Sequence, residues 1–267
     1  DIDHLSADWL VKKIKALAVQ PSESSFPFRR VRPRQTSLSF SGLNLSGVPL
    51  YDCGYTDDKG ITGSMGDLGS DADIGVAMSM PFASSEVGRR IHAARQTGKH
   101  KAIVVVTDDR LPANGVAPFN AEDFTAPFGP PVLQLANNHW PEIQAAVKSS
   151  ATGQVIVQCD YVEASARNIE ARIKGRNPAL APIVIMTPRS GWWACASERG
   201  GGIACFLEMM RGIQESEPLR DVIFTANTGH ELGHTGLDYF LQENPQLIKD
   251  AYIWVHLGAN FAAKHGA

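Results

Sequence analysis

Apolar residues in the first twenty positions recur at helical spacing. Leu10, Ile14 and Leu17 predict a helix over residues 6–19 with one buried face and Ser6 as its N-cap. Pro21 and the Ser-rich stretch behind it end that helix. Arg29, Arg30, Arg32 and Arg34 then gather around Pro33 and read as a solvated loop, with an anion-binding patch as the sharper alternative. From Ser37 to Met80 the pattern shortens to strand-like runs: SLSFSG, VPLYDCG and ADIGVAM, with DDKG, SMGD and GSD as turns. SSEVGRRIHAARQTG predicts a helix and AIVVVT, at 102–107, a buried strand. A Pro/Gly-rich loop covers 112–131, PVLQLA is a strand, a helix runs from Pro141 to about Lys148, and QVIVQC closes this part.

Residues 161–267 have another rhythm. NIEARIKG is strand-like and APIVIMT is a buried strand, followed by a loop from Gly191 to Gly202. Ile203, Phe206, Leu207 and Met210 mark a helix, DVIFTAN a strand, LDYFLQENP a helix stopped at Pro245, and AYIWVHLG a last strand. Alternating strands and helices predict an α/β layer with a largely parallel sheet. Ligands of such sheets sit beyond the carboxyl ends of the strands, which directs attention to the loops after Met186, Asn227 and Val255.

Composition narrows the classes. Of 267 residues, 43% are hydrophobic and 20% charged, the usage of a globular chain with a sizeable core. A net charge of −3 gives no footprint for nucleic acid, and no apolar run reaches the ~18 residues of a membrane span. The chain starts at Asp1 with no signal-peptide pattern, as a processed chain or a cloned fragment would. Cys53, Cys159, Cys195 and Cys205 form no CxxC pair, which disfavours a cysteine zinc site and leaves the redox compartment open.

The most visible chemical motif is His230-Glu231-Leu232-Gly233-His234, a literal HExxH. On a helix it would place two imidazoles on one face, with the acid as general base for a zinc-bound water. Gly229, Gly233 and Gly236 oppose that helix at ~1 kcal/mol each. Leu237 and Phe240 stand where the extended motif needs Gly and His.

Three gapless stretches carry a wider resemblance: IVIMTPRSGWWACASERGGGIACFLEMMR, FTANTGHELGHTGLDYF and AYIWVHLG. Together they resemble the co-catalytic zinc exopeptidases, the family of zinc aminopeptidases, glutamate carboxypeptidase and the transferrin receptor. RRIHAARQTGKHKAIVVVTD, within the middle unit, resembles the protease-associated domain that several members carry as an insertion. The resemblance implies a three-layer α/β sandwich with a mostly parallel sheet, lacking the C-terminal part of the family fold. It divides the chain into 1–45, the start of the peptidase-like domain; 46–160, a mainly-β insertion; and 161–267, the rest of the peptidase-like domain.

Carried over position by position, the family's first His ligand falls on Pro188 and the Asp two residues later on Ser190. The bridging Asp falls on Glu198, the general-base Glu on His230, the adjacent ligand Glu on Glu231, and a further Asp on His256. The last His ligand would lie beyond Ala267. The resemblance therefore implies a variant site in which Glu198, Glu231 and His256 hold one zinc ion and His230 activates water. Alternatively His230 coordinates and Glu231 is the base. It implies a metal-dependent hydrolase of a peptide or other amide, extracellular or periplasmic, with a homo-oligomer allowed. The alternative is a catalytically inactive scaffold used for binding or assembly.

Blander assignments stand beside these. Glu198 could favour the helix dipole or pair with Arg189 or Arg199, His256 could be a hydrogen-bonded core histidine, and His234 a capping or surface residue. Trp192 and Trp193 could line a pocket or pack on the helix, and Gly200, Gly201 and Gly202 allow a turn or an anion cradle. Nothing places Ser190 on a nucleophile elbow with His230 and Asp238, and Cys195 and Cys205 read as buried thiols.

Overall fold

The computed structural model describes residues 2–80, 84–108, 115–193 and 195–258, apart from the side chain at 197. In chain order the first elements are α1 (Ile2–Ala16), β1 (Pro21–Phe40), β2 (Leu43–Ser46), β3 (Val48–Pro49), β4 (Ile61–Asp67), β5 (Ile74–Ser79), α2 (Glu86–Thr97), β6 (Ala102–Thr107) and β7 (Val132–Leu135). A 3-10 turn leads into α3 (Trp140–Lys148), followed by β8 (Thr152–Ile173), β9 (Ile183–Pro188), α4 (Ala196–Ser216), β10 (Val222–Asn227), α5 (Thr235–Glu243), α6 (Leu247–Asp250) and β11 (Ile253–His256). The chain divides into two compact units, residues 1–29 with 163–267, and residues 30–162.

In the first unit β9 lies parallel to both β10 and β11, while β10 runs antiparallel to residues 169–173 of β8. Successive residues of a strand face opposite sides, and β9 uses both. Ile185 joins Leu10 and Ile14 of α1 and Phe206 and Met210 of α4. Its neighbour Val184 packs with Phe240 of α5 and Leu247 of α6. Helices therefore cover both faces of a mixed sheet, the α/β sandwich that the alternating pattern requires.

The second unit carries parallel β4, β5, β6 and β7, with β3 antiparallel to β7. On one face Val104 and Val106 pack with Ile143 of α3; on the other Ile103 and Val105 pack with Ile91 of α2. The capping of α2 is the one that its sequence dictates. Ser85 Oγ accepts the amide of Gly88 at 2.9 Å, and Gly98 ends the helix in the left-handed region at φ +61°.

Several local expectations are corrected. The first helix starts at Ile2, so Ser6 lies inside it rather than capping it. The arginine cluster is exposed but belongs to strand β1, and Arg32 and Arg34 pair with Asp160 at 3.0 and 2.5 Å. Three prolines make β1 look like a loop, although proline is tolerated where a strand needs no ladder donor. SMGD lies within β4 rather than in a turn. Helix α4 begins at Ala196, inside the stretch read as loop, and one of its glycines, Gly202, serves packing. A Cβ on Gly202 would sit 2.7 Å from Gly258 O and 2.9 Å from Leu257 O, so the bare backbone lets the helix approach the chain after β11. Cys205 is exposed and Cys195 half-buried, not core thiols, and all four cysteines are free. No helix among the described residues is long and apolar enough to cross a membrane.

Candidate functional site

Strand register assembles the site. His256 pairs with Met186 across β11 and β9, and Asn227 pairs with Pro188 across β10 and β9. These positions form one edge, at the carboxyl ends of three parallel-running strands, where the α/β rule places ligands. A cleft of about 360 Å³ opens there, lined by Met186, Asn227, His230, His234, Asp238 and His256 among others.

The HExxH segment reaches this cleft as a turn, not as a helix. Gly229 and Gly233 hold φ +71° and +67°, and His234 itself is left-handed at +54°. Such values interrupt a right-handed helix. A Cβ on Gly229 would lie 2.1 Å from Thr235 Oγ1, so neither its conformation nor its space admits another residue comfortably. His234 occupies the N-cap position of α5 without a side-chain capping bond. Its ring instead meets His230 edge to face, with centroids 4.4 Å apart.

Glu231 turns away from the cleft into a buried polar network. Its carboxylate forms an ion pair with Arg199, and both side chains are only 4% exposed. Ser190 Oγ donates to Glu231 Oε2 at 2.8 Å and accepts the backbone amide of His230 at 3.0 Å. Arg199 Nε donates to Ser190 O at 2.6 Å, and its guanidinium also meets Glu198 at 2.9 Å. A second arginine, Arg189, is bound at 2.9 Å by Asp3 of α1, which also accepts from Thr228 Oγ1 at 2.5 Å. The N-terminal helix thereby fixes the strand ends that carry the cleft.

Charge follows burial. Desolvation pushes the His230 imidazole down to about 4, helped by Arg199 and by His234 and His256, against the pull of Glu231. His256 is lowered as well, first by desolvation and then by His234 and Arg199. At neutral pH both rings are therefore neutral and offer acceptor nitrogens.

The four residues singled out in the sequence separate into two groups. Glu198 and Glu231 converge on Arg199, whereas His230 and His256 line the cleft. Among the described residues, no three His, Cys, Asp or Glu side chains come together as a metal-binding group. A zinc ion held by Glu198, Glu231 and His256 does not fit this donor set, because both acids are already matched to a guanidinium. Of the blander assignments, the Glu198–Arg199 pair is present and Arg189 pairs elsewhere. Trp193 is 66% exposed. Ser190 engages Glu231 rather than an imidazole, so no nucleophilic triad forms. Asn227, Asp3 and Thr228 carried no motif, and only the tertiary fold identifies them.

No family model matches the chain, and no curated protein is significantly similar in sequence. Its fold is nevertheless that of the zinc aminopeptidases. A zinc aminopeptidase from Bacillus subtilis superposes with a TM-score of 0.73 at 15% identity, over 95% of this chain and 62% of its own. A peptidase precursor from Shewanella amazonensis gives 0.72 at 16%, over 94% and 64%. An aminopeptidase from an Aneurinibacillus species gives 0.68 at 13%, over 95% and 64%. The chain thus spans less than two thirds of the length of these neighbours.

Proposed function

We propose that the cleft holds the amino end of a peptide or small amide, a binding role on a peptidase-like scaffold. The observation that carries this reading is Asn227 Oδ1, a buried acceptor with no hydrogen-bond partner among the described residues, on a residue that lines the cleft. A buried orphan acceptor is costly unless something supplies a donor. Neutral His230 and His256 add acceptor nitrogens, and Asp238 adds an exposed carboxylate. An ammonium or amide N–H group complements such a lining. At about 360 Å³ the space is near the lower end for small-ligand pockets, which suits the end of a peptide. Residues 46–160, within the unit of residues 30–162, are read from the resemblance of their helix-then-strand stretch as a protease-associated-like insertion.

An NMR titration with trialanine and N-acetyl-trialanine tests the reading. Free-amine peptide is expected to shift the imidazole resonances of His230, His234 and His256 saturably, with binding weakened about tenfold or more by acetylation, the effect of one lost charge-assisted hydrogen bond. No shift with either peptide, or equal shifts with both, refutes it.

A second reading is hydrolysis of the same ligand. The position of His230 beside the cleft favours it, although burial, which holds that imidazole down at about 4, makes it a weak proton acceptor near neutral pH. Turnover of an aminoacyl p-nitroanilide that disappears in His230→Gln would establish it.

A further inference from the structure

A buried carboxylate requires a compensating positive charge, and here the chain supplies one from its own sequence. Glu231 sits in the turn after β10 and Glu198 in the first turn of α4, yet both meet the guanidinium of Arg199. Arginine is always charged and presents five donors in a rigid fork. Arg199 uses that fork on two carboxylates and on Ser190 O, and Ser190 Oγ closes the ring onto Glu231.

We propose that Arg199 is a resident cation standing between Glu198 and Glu231 in place of a divalent metal ion, and that removing it uncovers a latent metal site. A carboxylate binds zinc at ~2.0–2.2 Å, closer than any hydrogen-bond donor approaches. An ion on Glu231 would therefore have to displace the guanidinium or lie against its like charge. Glu231 is committed to structure, and the edge that carries His230 is organised through Ser190 whether or not metal is available. The assignment is independent of which ligand the neighbouring cleft takes, because its readouts are ion content and thermal stability rather than peptide binding.

The test uses the whole chain, with Mn²⁺ as probe because carboxylates suit it. Wild-type protein is expected to show the same Tm in EDTA and in Mn²⁺. Arg199→Ala should melt lower in EDTA, recover on addition of Mn²⁺ and take up one ion per chain; adding Glu231→Gln should abolish the uptake. Arg199→Lys, which keeps a cation, should remain indifferent to Mn²⁺. Where Arg199→Ala does not fold, the neutral pair Arg199→Met/Glu231→Gln decides. It should fold and ignore Mn²⁺, whereas loss of folding in that pair as well would overturn the charge-compensating role. Wild-type protein that carries stoichiometric metal, lost in Glu231→Gln, overturns the proposal. So does a folded Arg199→Ala variant with no response to Mn²⁺.

Discussion

The rings of His230 and His234 meet at 84°, with centroids 4.4 Å apart, across a turn whose glycines prevent it from becoming a helix. Each protonated ring would repel the other, and burial already disfavours the charge on His230.

That arrangement has a pH signature. The folded-state value of His230 is about 4, against 6.5 for the free side chain. Between those values the unfolded chain binds a proton that the folded chain refuses. Stability therefore rises with pH through this window and is complete above it, a contribution on the order of 2–3 kcal/mol. Urea unfolding from pH 4 to 7 should show the rise, and His230→Asn should flatten it. An equal slope in the variant would assign the effect elsewhere.

Two glycines should respond oppositely to alanine. Gly229→Ala places a Cβ against Thr235 at positive φ and should cost about 2–4 kcal/mol. Gly200 lies within α4 with open space around its Cβ position, so Gly200→Ala should gain up to about 1 kcal/mol. Denaturant midpoints at constant m-value report both changes.

In the second unit the Asp52–Arg95 ion pair is 2.8 Å long and nearly inaccessible to solvent. Asp52 also accepts the amide of Asp123 at 3.0 Å, and Arg95 stacks on Phe128, so the pair anchors the Pro/Gly-rich loop. Arg95→Met strands a buried acid and should cost about 3–5 kcal/mol. Asp52→Asn combined with Arg95→Met should cost clearly less, and a double-mutant cycle measures the difference.

Asn227→Leu removes the buried orphan acceptor on a residue that lines the cleft. Binding of a free-amine peptide should weaken about tenfold, roughly 1.4 kcal/mol, with thermal stability unchanged or raised. Calorimetry on the variant checks both expectations.

Much of this molecule can be read locally. Ser85 and Gly98 bracket α2, AIVVVT is a six-residue buried strand, and strand–helix alternation after residue 182 locates the edge where the cleft opens. Less local features escape such reading. The glycines at 200–202 weigh against a helix until the contact of Gly202 with the chain after β11 is known. Arg199, Ser190 and Glu231 lie 9 to 41 residues apart along the chain, so no spacing rule announces their network. The resemblance reads Glu231 as a metal ligand, and only the tertiary fold reveals its arginine partner.

The most direct check on the proposed amine-binding role of the cleft is calorimetric titration of chelator-treated protein with a short peptide bearing a free amino terminus. Saturable one-to-one binding, unaltered when zinc is returned and lost when the amine is acetylated, is the result the structure predicts. Binding that emerges only after zinc is restored would contradict it.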